Sequence, residues 1–299
     1  LAAWQVGIQT SSTYSDARIK RIDSERIQRE LDKNKIVLVA GFQGVNRWGD
    51  VTTLGRGGSD TSAVALAAAF HADMCQIFTD VDGVYTTDPR IASNARKLPE
   101  ITYDEMLELA SQGAQVLHNR SVELAKKYHV NMEVVSSLER KPGTKVKEVV
   151  KMEKTNIAGV AKDTSIARIA VVGLAHNPGV AFHIFSLLGK ANINVDAIIQ
   201  SIGRNESKDI SFTLPRADVE EAVRVLEEQK DVLHFDHVTV EDKIAKVSIV
   251  GAGMMTTPGV AAKMFEALYD ANINIQMINT SEIRVSVLIH EDDATAAVR

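Results

Sequence analysis

Two short segments hold most of the groups in this chain that could do chemistry. Thr53-Leu-Gly-Arg-Gly-Gly-Ser-Asp60 places Gly55, Gly57 and Gly58 around Arg56, with Ser59 and Asp60 directly after them. With no Cβ in the way, backbone N–H groups at such glycines approach an anion closely. The small-residue stretch from Thr61 to Phe70 reads as a helix with Ser59 or Asp60 as its N-cap, so its positive dipole end points at the same spot. The second segment, Thr79-Asp80-Val-Asp-Gly-Val-Tyr-Thr-Thr-Asp-Pro-Arg90, supplies hydroxyls, carboxylates and an aromatic ring just past the apolar run Met74 to Phe78. Such groups at a strand end, beside a glycine turn that opens a helix, are what a nucleotide site at the edge of an open parallel sheet needs.

The elements that must position these groups follow from periodicity. Ile36 to Ala40, Met74 to Phe78 and Val130 to Val135 are short apolar runs that suit a buried parallel sheet. Helical patterns lie between them, from Ser62 to Phe70, Tyr103 to Ala110 and Val116 to Tyr128, and Thr102 with Glu105 spells a capping box. This β-α alternation makes residues 1–150 an α/β layer domain. Lys141-Pro-Gly-Thr144 then breaks the pattern, and the polar stretch to Lys154 marks a boundary.

The second half is internally duplicated. Asn177 to Ile199 aligns without gaps to Thr257 to Asn279, with eleven identities in twenty-three positions. Each copy has an apolar strand (Ile169 to Gly173; Val247 to Gly251), a Pro-Gly turn, an amphipathic helix, Asn-Ile-Asn and another strand. The first copy continues through Ile210 to Leu214, a helix from Ala217 to Gln229 and a strand near Val238 to Val240, which is the β-α-β-β-α-β order of a ferredoxin-like unit. The second copy reaches Arg299 after β-α-β-β and the start of a helix. Its sheet would keep an unpaired edge, which Ile157-Ala-Gly-Val-Ala161 is expected to fill.

Bulk properties narrow the function classes. A chain of 299 residues, 45% hydrophobic and 24% charged, is long enough for about two domains with their own cores. A net charge of -5, with no block of basic residues, argues against a nucleic-acid binder. The single cysteine, Cys75, lies in an apolar run, so a disulfide scaffold is excluded and a cytoplasmic location is expected. No apolar stretch is long enough for a membrane helix. The eight histidines, His118, His176 and His183 among them, show no metal-ligand spacing, so no protein-built metal site is expected. Asp80-Val-Asp82-Gly83 is not a calcium loop, since glycine falls at the fourth position and Ile91 stands at the twelfth. No P-loop sequence is present.

The two chemical segments, together with Ala40-Gly-Phe-Gln-Gly44 and Gly113-Ala-Gln-Val-Leu-His118, closely resemble aspartate kinases, which are members of the amino-acid kinase family. The duplicated half resembles ACT domains, small modules that pair and bind amino acids between them, so the resemblance covers essentially the whole chain. The fold it implies is α/β, an amino-acid kinase-like layered parallel sheet followed by two ferredoxin-like ACT domains. The expected boundaries are 1–150 for the kinase part, 151–165 for a linker and a strand donated to the second ACT unit, 166–243 for the first ACT domain and 244–299 for the second. Aspartate kinases open with a Lys-Phe-Gly-Gly-type motif that is absent here. The expectation is therefore a kinase domain lacking its first part, a second ACT domain lacking its last strand, and no activity from the fragment alone.

The activity implied is transfer of the γ-phosphoryl of ATP, with Mg²⁺, to the side-chain carboxylate of L-aspartate. This reaction leads toward lysine, threonine, methionine and diaminopimelate. Carried onto this sequence, Arg56 grips a substrate carboxylate, because a guanidinium fork matches it bidentately. Gly57, Gly58 and Ser59 offer donors. Asp60 orients a lysine or, through water, Mg²⁺, or caps the helix. For the nucleotide, Thr79 and Asp80 sit at the strand end, Tyr85 lies near the base or ribose, and Asp88, Pro89 and Arg90 shape the far wall. Gln115 and Val116 complete this set, although Gln115 stands where many relatives carry lysine, which turns a charged contact into at best a hydrogen bond.

Matching effector positions are Asn194, Val195, Asp196 and Gln200 in the first copy, with Asp196 placed for an ammonium group. In the second they are Val260, Ala261, Asn274, Ile275, Ser281 and Glu282. Lysine and/or threonine are the expected effectors, acting in a homo-oligomer or α/β-subunit assembly joined through ACT domains. His176 stands where some relatives carry an acidic residue. The competing readings are an ACT regulatory subunit without catalysis and another amino-acid kinase. The intact Arg56 to Asp60 and Thr79 to Arg90 segments oppose the first, and the tandem ACT pattern opposes the second.

Overall fold

The structure, a computed structural model, describes residues 1–114, 116–148, 157–175, 177–202 and 208–299. Gln115, His176 and residues 151–156 of the expected linker lie outside the described residues. The chain forms two compact units. One comprises Leu1–Ala161, Ile249–Pro258 and Glu282–Arg284; the other comprises Lys162–Ser248, Gly259–Ser281 and Val285–Arg299.

The first unit is built on β1 (Ile8–Thr10), β2 (Ile19–Ile22), α1 (Glu25–Leu31), β3 (Gln43–Val45), β4 (Val51–Thr53), α2 (Gly58–Ala69), β5 (Cys75–Thr79), β6 (Glu100–Thr102), α3 (Tyr103–Ser111), α4 (Asn119–Tyr128), β7 (Met132–Ser136) and β8 (Thr144–Lys147). Its strands form two sheets, ordered β2-β1-β3-β4 and β5-β7-β8-β6. β5 and β7 pair in parallel, Cys75 opposite Met132 and Thr79 opposite Ser136. β8 returns antiparallel to β7, because the connection between Ser136 and Thr144 is too short for the crossover that a parallel neighbour needs. Ile77, Ile101, Met106, Leu109, Val122, Met132 and Val134 build the core under this sheet. The capping box forms: Glu105 N–H donates to Thr102 Oγ1 at 3.2 Å, and Thr102 N–H donates to Glu105 Oε2 at 3.2 Å.

Residues 36–40 are not a regular strand. Ile36 and Leu38 are 94% and 81% exposed, whereas Val37 and Val39 pack on Ala3, Val6, Ile8 and Ile27. The alternation is that of a strand, but its ladder contacts are to Leu1: the Leu1 amino group donates to Leu38 O and Ala40 N–H donates to Leu1 O.

The duplicated half begins with β9 (Gly159–Asp163). The first copy follows as β10 (Ile166–Leu174), α5 (Val180–Lys190), β11 (Ile198–Ile202), β12 (Lys208–Pro215), α6 (Val219–Glu227), α7 (Lys230–Leu233) and β13 (His237–Glu241). The second is β14 (Ile244–Val250), α8 (Val260–Asp270), β15 (Met277–Ser281), β16 (Arg284–His290) and α9 (Ala294–Val298). The sheets run β11-β12-β10-β13 and β15-β16-β14-β9. β9 therefore stands in the second sheet where β13 stands in the first. Both helices α5 and α8 open on a left-handed glycine, Gly179 (φ 95°) and Gly259 (φ 86°), and both are followed by a left-handed asparagine, Asn192 and Asn272.

Candidate active site

The glycine segment folds into a turn that delivers α2. Gly55 and Gly57 take φ of 78° and 68°, a left-handed conformation that favours glycine, and Gly57 rather than Ser59 or Asp60 occupies the N-cap position. The helix starts earlier than its sequence pattern implies. With no Cβ at Gly57 and Gly58, the backbone closes onto His118 and Leu54: added Cβ atoms would come within 2.5 and 2.8 Å of those side chains. Ser59 and Asp60 thus fall in the first turn, Arg56 and Ser59 are exposed, and Asp60 is partly buried. The positive end of a twelve-residue helix lies directly behind Arg56.

Three neighbours hold this turn. Ser62 Oγ donates to Gly58 O at 2.8 Å and accepts from Phe42 N–H at 3.0 Å, fixing the Gly41-Phe42 loop beside the helix start. Arg120, at the start of α4, donates to Leu54 O at 2.7 Å, to Ala17 O at 2.8 Å and to Asp16 at 2.8 Å. The His118 ring lies against Gly57, and its Nδ1 has no partner among the described residues. Burial, aided by the Arg120 charge, holds the His118 pKa below its ordinary value. Burial pushes Asp60 up, opposed by His118. The thiol of Cys75 is pushed up to about 11 by burial and by Asp60, which makes it an inert core group.

β5 follows α2 and packs against it, and Thr79 is its last residue. Thr79 O accepts from Ser137 N–H at 2.8 Å and from Ser137 Oγ at 2.9 Å, and Thr79 Oγ1 donates to Asp80 at 3.2 Å. Beyond it, Tyr85 OH donates to Asp82 at 2.9 Å and Lys97 pairs with the same carboxylate at 3.1 Å. Burial acts to raise the Asp82 pKa, but Lys97 and Tyr85 outweigh it and hold the group below its ordinary value. Asp88 accepts from Arg90 N–H and pairs with the Arg90 side chain at 2.8 Å, closing the Asp88-Pro89-Arg90 turn. Val116 is partly buried and packs against the unit's core.

In the second unit, Asn194, Val195 and Asp196 follow α5, and Gln200 lies on β11. The ammonium group that faces Asp196 belongs to this chain: Lys246 Nζ donates to Asp196 Oδ2 at 2.6 Å. Lys246 is buried on β14, while Asp196 keeps 44% of its side chain exposed. Gln200 instead lines a cavity of about 160 Å³ with Leu174, Asn177, Gly179, Val180 and Lys208. Val260 and Ala261 open α8, Asn274 and Ile275 follow it, and Ser281 and Glu282 stand at the exposed end of β15.

Sequence reasoning passed over His118, Arg120, Ser62 and Lys246. Lys246 carried a usable signal, a lone charge inside the otherwise apolar run Ile244 to Val250. His118 closes the Gly113 to His118 segment but was weighed only as a metal ligand, and Arg120 had no signal, since only the fold brings the start of α4 under the glycine turn.

Among the described residues no group of three or more His, Cys, Asp or Glu could hold a metal ion, and no helix is long and apolar enough to cross a membrane. Residues 2–136 match the amino acid kinase family, and 169–229 with 247–299 match the ACT domain. The chain is 51% identical over 296 residues to the aspartokinase of Bacillus sp. (strain MGA3), covering 99% of this chain and 72% of that protein. It matches the crystal structure of E. coli aspartokinase III in complex with aspartate and ADP, in the R-state, with a TM-score of 0.84 and 29% identity, over 100% of this chain and 68% of that one. The same enzyme in complex with lysine and aspartate, in the T-state, matches with a TM-score of 0.76 and 29% identity, over 100% and 67% of the two chains.

Proposed function

This chain belongs to the aspartokinase family, and we propose on that premise that it transfers the γ-phosphoryl of ATP to the β-carboxylate of L-aspartate. The observation that carries this reading is the exposed Arg56 between two left-handed glycines at the N-terminus of α2. A carboxylate is already a competent nucleophile, so the reaction asks for positioning and charge neutralisation in place of a strong base. Arg56 supplies a guanidinium fork for a substrate carboxylate, and the backbone of Gly57 and Gly58 with Ser59 Oγ offers donors to oxygens that gain charge. Thr79 and Asp80, with Tyr85 and the Asp88-Pro89-Arg90 turn, form the nucleotide side.

Mg²⁺ binds through one or two carboxylates, several waters and substrate phosphates, so it does not need a cage of protein ligands. Asp60, in the first turn of α2, fits that limited role through water, and when bound the ion would neutralise phosphate charge. The buried thiol of Cys75 is consistent with a reducing cytoplasm.

The tandem ACT units make amino-acid feedback the accompanying function, with lysine or threonine as effector and ACT pairing between chains as the assembly. Asp196 already holds the Lys246 ammonium, so an effector's amino group must share or displace that contact. The test is ATP-dependent acyl phosphate formation, trapped as hydroxamate, by the protein carrying this chain. Aspartate should be turned over and glutamate and acetylglutamate should not, and added lysine or threonine should inhibit. Turnover of glutamate in preference to aspartate would refute the substrate reading, and calorimetric binding of neither amino acid would refute the feedback reading.

A further inference from the structure

The strand that completes the second ACT sheet also touches the segment read as the nucleotide site. Val160 N–H, at the start of β9, donates to Thr86 O at 2.7 Å. Thr86 follows Tyr85 and precedes the Asp88-Pro89-Arg90 turn. Its other bonds run to a neighbouring loop: Thr86 N–H donates to Arg96 O at 2.9 Å and Thr86 Oγ1 accepts from Arg96 N–H at 3.0 Å. The residue beside Val160 is Gly159, which is buried against Thr86 and Leu109 of α3. A Cβ there would stand 3.0 Å from Thr86 O and 3.2 Å from a Leu109 methyl group. The contact is therefore a close backbone approach with no slack.

The same helix is gripped from β14's side of the chain. Ala252 N–H donates to Glu105 Oε1 at 3.1 Å, although Glu105 is buried and already caps α3. Arg284, only 14% exposed in its side chain, pairs with Glu108 one turn further along at 3.3 Å. Ala158 N–H donates to Val250 O at 2.7 Å, so β9 is held to β14 as it reaches Thr86.

We infer that Gly159 and Val160 are positioning residues for the nucleotide segment, setting where Tyr85 and the Asp88-Pro89-Arg90 turn stand by fixing the Thr86 carbonyl. The inference rests on reading Thr79 to Arg90 as the nucleotide side of the site and adds two residues outside that segment that set its position. A shift of Gly159 or Val160 therefore reaches Thr86 through that hydrogen bond and that glycine contact. Neither residue belongs to the Thr79 to Arg90 segment itself.

The test uses Gly159→Ala and Gly159→Val in the protein carrying this chain. It measures MgATP and aspartate affinity by calorimetry, KM for both substrates, and amide exchange by mass spectrometry. Gly159→Val should weaken MgATP binding at least five-fold and Gly159→Ala less, with aspartate affinity and kcat within two-fold of the parent. Exchange should rise across 84–98 and stay unchanged across 122–136. Equal MgATP affinity in parent and both variants would overturn the inference, as would equal loss of ATP and aspartate binding. If the parent binds no MgATP, the nucleotide reading itself fails, and exchange then decides the positioning claim separately: unchanged exchange across 84–98 in both variants overturns it. Gly159→Ala, the smaller change, keeps the test decisive if Gly159→Val does not fold.

Discussion

The two ACT copies carry the same backbone devices and put them in different surroundings. Pro-Gly turns, left-handed Gly179 and Gly259, and left-handed Asn192 and Asn272 recur at matching positions. The central strands differ. β10 alternates between buried and partly exposed residues, whereas all seven residues of β14 are buried. The first copy closes its sheet with its own β13, which is mostly exposed; the second uses β9, whose Gly159 and Ala161 are buried. Arg168 on β10 pairs with half-exposed Glu241, while Lys246 at the corresponding place on β14 is buried against Asp196. Duplication preserves what the local backbone requires, and position in the fold decides which side chains must be paired.

The contrast between the closing strands should give the largest effect. Ala161→Asp places an uncompensated charge in the core and should cost on the order of 3–5 kcal/mol. Val240→Asp on β13, at a 42% exposed position, should cost no more than about 0.5 kcal/mol. Denaturant midpoints of the two variants check this, and equal losses would break the comparison.

Next come the two ion pairs. Asp196→Ala leaves the Lys246 ammonium buried without its carboxylate and should cost about 2 kcal/mol, discounted for the exposure of Asp196. Arg168→Ala removes an outer pair and should cost about 0.5 kcal/mol by the same unfolding measurement.

The shared asparagines should behave alike. Alanine at Asn192 or Asn272 must adopt a left-handed conformation, costing about 1 kcal/mol in each copy, and glycine should restore it. A difference between the copies larger than the individual losses would contradict the claim that their backbones are equivalent.

The smallest effect sharpens the contrast with the kinase half. His118 is held neutral by burial and by Arg120, with Asp60 and Asp16 acting the other way, so its folded pKa lies below the ordinary 6.5. The unfolded chain therefore binds a proton first, and stability should fall as pH drops below 6.5 toward the folded pKa. Asp60, whose pKa is raised, has the opposite sign at lower pH. Thermal melts between pH 7.5 and 5.5 should show a drop that His118→Gln reduces; an identical drop in that variant would remove His118 as its source.

Much of this was legible in the sequence because the signals were local. The Thr102–Glu105 capping box, the Pro-Gly turns and the repeat each specify a few neighbouring residues, and each formed as spelled. The start of α2 was read late, since Ser59 and Asp60 are good caps but the left-handed glycine before them takes that place. Residues 36–40 read as a buried strand, but Ile36 and Leu38 are exposed and the segment's backbone bonds run to Leu1. The clamp of Arg120 and His118 under Gly57, the Lys246–Asp196 pair and the Val160–Thr86 bond join residues far apart in the chain. Apart from Lys246, a lone charge in an apolar run, no pattern of neighbours announces these partners.

Arg56 carries the central claim, and steady-state kinetics of Arg56→Ala in the protein carrying this chain test it most directly. Loss of a bidentate charged contact to substrate should lower kcat/KM for aspartate by about 30- to 1000-fold, corresponding to roughly 2–4 kcal/mol, with the melting temperature unchanged. Aspartate kinetics equal to the parent's would contradict the account, because the exposed arginine between the two glycines would then hold no substrate.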